Sequence, residues 1–522
     1  MSKFNVKNVR ANILSAPRSE PTPSGRTYEG APGYLRDGRS ELFLLAVSNF
    51  VGENTFYESA SSRDLRYRDL VRSMAVDDID WLARFLRWLR TTANLRSASL
   101  VGALEAARAR IEANAHGRTR DLVASVLQRP DEPGEALAYW ISTYGKEIPK
   151  PVKRGIADAV RRLYTEQSLL KYDTATKGFR FGDVLELVHP SPDPGKPWQG
   201  ALFQHALDRR HGRDRDIPDA LPMVRARSLL LAAPVEDRRA LLGGALFREA
   251  GMTWESVAGW LQGPMDAQAW EAVLPGMGYM ARLRNLRNFD EAGVSDAVAA
   301  SVASELADPA LVAKSRQLPM RFLSAYRAAP SLRWAYALEQ ALGHALSHVP
   351  ALPGRTLILV DQSGSMGKRL SERSQLTCSD AAIVFGAALA LRAASADLVQ
   401  FDNRSAPVEV RRGESVLRVV ERFWGPRGGT NTAAAVQAWY RDPVHDRVVI
   451  VSDEQAWGGR RGQDPTDAVS PRVPVYTWNL AGYRYGHGPS GTGNRHVFGG
   501  LSDAAFGMIA LIEAGKNADW PF

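Results

Sequence analysis

The chain has 522 residues, of which 45% are hydrophobic and 24% charged, so it can bury two or more cores and bulk disorder is excluded. Its net charge of +9 and pI near 9.6 favour polyanions, either nucleic acid or an anionic membrane surface, although an arginine-rich proteome gives the same balance. A single cysteine, Cys378, excludes a disulfide framework and a cysteine-rich zinc site and suits a reducing cytoplasm. The first thirty residues have no secretory h-region, and no run approaches the ~18 apolar residues of a membrane span. The expected location is cytoplasmic, with no membrane partner.

Residues 1–35 are rich in Ser, Pro, Gly and Arg without periodicity, and are expected to form a disordered or draped tail. Residues 36–348 read as helices. In "VDDIDWLARFLRWLRTTANL", Ile79, Leu82, Phe85, Leu86 and Leu89 recur at helical spacing. The interleaved Arg84, Arg87 and Arg90 are read as a solvated face or an RNA surface, and Trp81 and Trp88 as core. Similar segments follow, broken by "PDEPGE" and "PSPDPGKP". Stacked helix pairs in a solenoid are expected, with a plain bundle as the alternative because no clean period exists.

From 349 to 522 short apolar strands alternate with helices. Strands are expected at 356–360, 396–402, 408–412, 447–453 and 474–480. Helices are expected at 379–394, 415–424, 432–442 and 503–515. Continuously apolar strands between helices predict a doubly wound α/β sheet buried on both faces, with ligands beyond the carboxyl ends of the strands. The stretch "GYRYGHGPSGTGNRH" (482–496) is read as an interaction loop or disorder.

Three loops fall at strand ends. "DQSGSMG" supplies Asp361, Ser363 and Ser365, "RGGTNT" supplies Thr430, and "VSDEQ" supplies Asp453. Two carboxylates and three hydroxyls make an all-oxygen donor set. It suits Mg²⁺ first, with Mn²⁺ or Ca²⁺ as alternatives, and not zinc. Spacing excludes a P-loop and a dinucleotide fingerprint. A helix cap or turn is the bland reading of each serine alone. No general base is evident, so no catalytic residue is assigned and the expectation is a non-enzyme. A nuclease or ATPase using the cation is the weaker alternative.

The pattern resembles the metal-ion-dependent adhesion site of von Willebrand factor A domains. The resemblance implies Ser363, Ser365 and Thr430 as direct ligands. It implies Asp361 and Asp453 as direct or water-bridged ligands, and one position open to an outside carboxylate. Thr432 is left to start the following helix. On that resemblance, a second reading is a cation-dependent module that captures an acidic protein partner.

The whole order, a basic helical array before one A domain, resembles the TROVE-domain Ro ribonucleoprotein family. The segments that carry it are "KRGIADAVRRLY", "FRFGDVLELVHPSP", "LPGMGYMARLRNLRNF", "RQLPMRFLSAYRAA" and "LPGRTLILVDQSGSMG". The resemblance implies a multidomain chain, an all-α HEAT-like ring followed by the α/β domain, monomeric as a ring. It implies a small non-coding Y RNA on the outer surface, 3′ ends of misfolded RNAs in a central hole, and an exoribonuclease partner. Most of the cationic excess lies before residue 349, where RNA would bind. Lys153, Arg154, Arg161 and Arg162 share one helix face. With His189 they match the family's Y-RNA surface, although a lone His also reads as a capping or packing residue. Arg282, Arg284 and Arg287 are read either as lining the hole or as pairing with acidic neighbours.

Overall fold

The computed structural model describes residues 15–48, 50–347, 349–458, 464–514 and 519–522. Helices run from Gly38–Ser48 to Leu332–Ala345 and pack largely as near neighbours, such as Ala60–Asp77 on Arg96–Glu112 and Thr119–Val126 on Lys150–Leu163. The predicted amphipathic helix is Ile79–Thr91. Asp78 caps it by accepting from the Trp81 N–H at 3.1 Å. It buries Trp81, Leu82, Phe85, Leu86, Trp88 and Leu89, as the spacing predicts. Its arginine face is not uniformly solvated. Arg84 and Arg87 are exposed, but Arg90 is buried and its Nη2 lies 2.7 Å from Glu132. A wheel drawn from residue type alone places a guanidinium outside, whereas a carboxylate on the next helix draws this one in.

The helical array comes back on itself. Asn94 Nδ2 donates to the Arg316 carbonyl at 2.5 Å, across 222 residues. Both ends of the array also rest on the α/β part. Helix Gly38–Ser48 packs on its sheet edge, and Pro319–Ala328 and Leu332–Ala345 pack on Cys378–Arg392 and Val416–Val420. The C-terminal Trp520 and Phe522 return to stack among Phe43, Trp81, Phe85 and Trp88 of the first helices.

Nine strands are present among the described residues: β1 (Gly25–Arg26), β2 (Pro32–Leu35), β3 (Arg355–Asp361), β4 (Ser395–Phe401), β5 (Ser405–Pro407), β6 (Arg447–Ser452), β7 (Val475–Asn479), β8 (Tyr485–Gly486) and β9 (Arg495–Gly499). The main sheet has the order β5-β4-β3-β6-β7-β9. It is parallel except for the edge strand β5. Strands β6, β7 and β9 are buried throughout, and β3 is buried beyond Arg355, so the apolar runs were read correctly as a two-sided core.

The strand expected at 408–412 is not formed. The chain turns tightly at Asp402–Arg404, with the Arg404 N–H on Asp402 Oδ1 at 2.7 Å. Pairing therefore starts at Ser405 and runs to Pro407, with one further backbone bond from the Val408 N–H to the Leu398 carbonyl at 2.7 Å.

The expected N-terminal tail and the expected loop at 482–496 pair with each other. Residues 1–14 lie outside the described set. Within 15–35, β1 pairs with β2 and β2 pairs with β8, with Tyr34 opposite Gly486 and Leu35 opposite Tyr485. Ser19 and Ser490 exchange hydrogen bonds of 3.1 and 2.8 Å. Residues 482–496 are therefore a mostly buried, hydrogen-bonded segment that leads into β9. Neither partner carries apolar periodicity, because each half of the pairing is satisfied only by the other.

Candidate metal centre and basic helix faces

The three loops converge. β3 ends in Asp361, β6 leads directly into Asp453, and the loop before helix Thr432–Trp439 holds Thr430. All five predicted donors are buried: Asp361 is 0% exposed, Ser363 1%, Ser365 6%, Thr430 1% and Asp453 3%. The turn after β3 is set by its own aspartate, because Ser363 N–H donates to Asp361 Oδ1 at 2.8 Å. That places the Ser363 and Ser365 hydroxyls 3.2 Å apart. The Thr430 loop is stitched to both neighbours: Gly364 N–H donates to Gly428 O at 2.9 Å and Trp457 N–H to Thr430 O at 2.8 Å. Gly428 has φ +66° and faces Asn403 closely, so a side chain there would be strained. Thr432 opens its helix behind an Asn431 cap, as expected.

Sequence reasoning missed Ser452, whose hydroxyl donates to the other Asp361 oxygen at 2.7 Å. It precedes Asp453 by one residue, and its role follows from β3 and β6 being neighbours. Glu454 is no base for this site. It has φ +60° and turns its carboxylate to Arg36 and Asn479.

Burial pushes the Asp361 carboxyl up to about 6, although the Ser452 and Ser363 hydrogen bonds oppose it. Burial and then the neighbouring Asp361 charge push Asp453 up to about 7. Among the described residues no ion pair reaches either carboxylate. Two buried, uncompensated carboxylates beside three hydroxyls fit a hard divalent cation, which would relieve both charges.

The Tyr57 hydroxyl, which feels the Asp453 charge, donates to Glu29. No periodicity or motif marks either residue in the sequence.

The predicted RNA-contact residues fall into two groups. On helix Lys150–Leu163, Val152, Gly155, Ile156, Ala159 and Val160 are buried, and the basic residues lie on the opposite side. Arg154 is exposed and Lys153 half-buried, and neither has an acidic partner among the described residues. Arg161 approaches Asp193 at 4.0 Å. Arg162 is exposed, yet its guanidinium donates to the Leu127 and Ala124 carbonyls at the end of helix Thr119–Val126, and the partial desolvation there lowers its pKa. His189 caps helix Phe181–Val188 in the left-handed conformation at φ +49° and is exposed.

On helix Tyr279–Glu291, Arg282 is drawn inward to Glu305 and to the Leu274 carbonyl at 3.1 Å. Arg287 pairs with Glu291 at 2.9 Å. Arg284 is exposed and unpaired among the described residues. It lies near Arg321, whose guanidinium pKa is lowered by burial and by the Arg284 charge. Arg321 stands inside "RQLPMRFLSAYRAA" but was not singled out in the sequence.

Fold and site together define a multidomain chain: an all-α helical array followed by an α/β sheet domain consistent with a von Willebrand factor A domain. Residues 223–350 match the family model of the TROVE domain. The fold is similar to the crystal structure of the Ro (RSR) protein of Deinococcus radiodurans, with a TM-score of 0.63 and 21% identity over 91% of this chain and 100% of that one. No curated protein matches the chain in sequence. The resemblance read in the sequence is thus met by a domain match over 223–350 and by a shared fold over nearly the whole chain. No helix among the described residues is long and apolar enough to cross a membrane.

Proposed function

We propose that this chain is a non-catalytic, cytoplasmic RNA-binding protein of the Ro kind. It holds a small, structured, Y-like non-coding RNA on its outer helical face. It takes single-stranded 3′ ends of misfolded RNAs into its central opening and works beside an exoribonuclease in RNA quality control. The observation that carries this reading is the unpaired cationic face of helix Lys150–Leu163. Many of the chain's arginines are held by nearby acids, yet Lys153 and Arg154 are left without one. Phosphate is the natural counterion for such a face. The TROVE match over 223–350 supports the same class, and the exposed, unpaired Arg284 beside Arg321 gives a second place for a phosphate backbone. The α/β site would hold Mg²⁺ through Ser363, Ser365, Thr430, Asp361 and Asp453. It would serve as a structural or docking centre and not as a nuclease.

The test is a mobility shift with a labelled hairpin bearing a single-stranded 3′ tail, from about 50 to about 200 mM salt. Affinity is expected to fall steeply with salt. The double variant Lys153→Glu, Arg154→Glu should weaken binding to all such RNAs. No shift at the lowest salt rules the reading out.

A further inference from the structure

A cavity lies in the helical part, at the end of the basic helix Lys150–Leu163. It opens between helix Glu132–Tyr144 and the segment 172–181, and holds about 90 Å³, against about 30 Å³ for one liquid water. Tyr164, Tyr172, Phe179 and Phe181 line it. Its walls are fixed by bonds that need no ligand. Phe181 N–H donates to Asp173 Oδ1 at 2.8 Å, and Arg180 Nη2 donates to Asp173 Oδ2 at 2.8 Å. A Cβ on Gly134 would sit 2.9 Å from the Phe179 carbonyl oxygen, so helix and segment meet closely only because glycine stands there. Tyr164, which directly follows helix Lys150–Leu163, stacks on Phe181 at 3.7 Å.

Two of the lining residues keep an unused polar atom. Asp131 stands at the N-cap of helix Glu132–Tyr144 but makes no capping bond, although aspartate is among the best caps. Its Oδ2 receives Arg129 at 3.0 Å and Arg96 at 3.4 Å, while Oδ1 is buried without a partner among the described residues. Tyr164 is 1% exposed, and its hydroxyl is likewise unpartnered. Two such groups are costly to leave unmade. Outside, Lys177 lines the mouth and Lys171 lies over the Tyr172 ring at 5.3 Å. Both lysines are exposed, and neither has an acidic partner among the described residues.

Aromatic walls suit a flat ring. A free carboxylate oxygen needs an N–H donor on the edge of that ring, and the Tyr164 hydroxyl can donate to a ring nitrogen. The lysines suit a phosphate. A simple ammonium fits poorly, because Arg96 and Arg129 already balance Asp131 and the lysines repel a second cation.

We propose that this cleft takes a nucleobase with an amino group next to an unprotonated ring nitrogen, as in adenine and cytosine, with its phosphate on Lys171 and Lys177. The amino group donates to Asp131 Oδ1, and the Tyr164 hydroxyl donates to the ring nitrogen. The base comes from an unstacked nucleotide of bound RNA or from a free nucleotide. The first source rests on the RNA reading above, and the second does not.

The experiment uses the full chain with AMP, CMP and UMP in saturation-transfer NMR. It adds mobility shifts with tailed hairpins whose unpaired nucleotides are all adenine or all uracil. Ala138 also lines the cleft, so Ala138→Leu fills it. Tyr164→Phe removes a hydroxyl with no partner in the fold, so its unfolding midpoint should hold. Base protons of AMP and CMP should saturate several-fold more than those of UMP in wild type. Ala138→Leu should abolish the signal, and Tyr164→Phe should bring AMP and CMP down toward UMP. If the base belongs to the RNA, Ala138→Leu should also weaken the adenine hairpin by about 10-fold and the uracil hairpin far less. An unchanged adenine hairpin with AMP binding lost assigns the cleft to a free nucleotide. UMP matching AMP and CMP, or AMP saturating Ala138→Leu as it does wild type, overturns the inference. So does a chain that takes no nucleotide and whose RNA affinity Ala138→Leu leaves unchanged. Wild type that takes AMP in the cleft and shifts no RNA overturns the RNA reading alone.

Discussion

Asp361 is held where burial favours its protonated form, and what keeps it useful is hydrogen bonding. Its two oxygens receive the Ser363 N–H at 2.8 Å and the Ser452 hydroxyl at 2.7 Å, and such bonds favour the anion. Ser452→Ala removes one of them without touching a proposed ligand. Mg²⁺ affinity is expected to drop by about 10-fold, read by calorimetry, with the sheet still folded. Unchanged affinity would show that Ser452 does not orient Asp361. The Asp361, Ser363 and Ser365 set was legible in the sequence because a five-residue turn carries it. Ser452 was hidden because its role depends on β3 and β6 lying side by side.

Single helices follow the same logic. The helix faces were readable from apolar spacing, but the ion pairs between helices were not, because an arginine looks the same in sequence whether solvated or buried. Glu132 shows what was missed. It is fully buried and receives Arg90 at 2.7 Å, Arg96 at 3.0 Å and the Arg129 N–H at 2.9 Å. Glu132→Ala leaves a buried guanidinium uncompensated and is expected to cost about 3–5 kcal/mol in denaturant unfolding. Glu132→Gln should cost less, because it keeps part of the hydrogen bonding. The basic helix Lys150–Leu163 separates the same two roles along one face. Lys153→Ala with Arg154→Ala should leave the unfolding midpoint nearly unchanged and lower the slope of log affinity against log salt by about 2 for RNA. Arg162→Ala should do the reverse. Its guanidinium satisfies the Leu127 and Ala124 carbonyls, so stability should fall by about 1–2 kcal/mol with little change in salt slope. Equal salt slopes in the two variants would remove the distinction.

At the scale of the whole molecule, the chain is fastened by its remote parts. The C-terminal Trp520 and Phe522 pack into the first helices, and the N-terminal segment pairs with β8 and with the loop leading into β9. His496, in β9, sits at this junction. Its Nδ1 is 2.5 Å from the Ser15 hydroxyl and its ring stacks on Tyr476 at 5.4 Å. Burial, and then the adjacent Arg495 charge, hold its pKa down to about 4. No carboxylate is paired with it among the described residues. Unfolded, the imidazole takes its proton near pH 6.5. Between these values the unfolded chain binds the extra proton, so stability rises with pH through this window. The contribution is complete above about pH 6.5 and is lost as pH falls toward 4, at up to about 1.4 kcal/mol per pH unit. The raised carboxyls of Asp361 and Asp453 act with the opposite sign, because there the folded chain binds the extra protons. A single pH profile of wild type therefore mixes the two, and the comparison that isolates the junction is with His496→Gln. Denaturant unfolding of both proteins at about pH 7.5 and about pH 5 should show wild type losing about 2 kcal/mol more than the variant over that interval. The same interval should expose the N-terminal segment to protease sooner in wild type, because a charged imidazole cannot stay buried against Ser15. Parallel losses in the two proteins would mean that His496 takes its proton in the folded chain at the same pH as in the unfolded one, and that its burial against Ser15 does not couple the junction to pH.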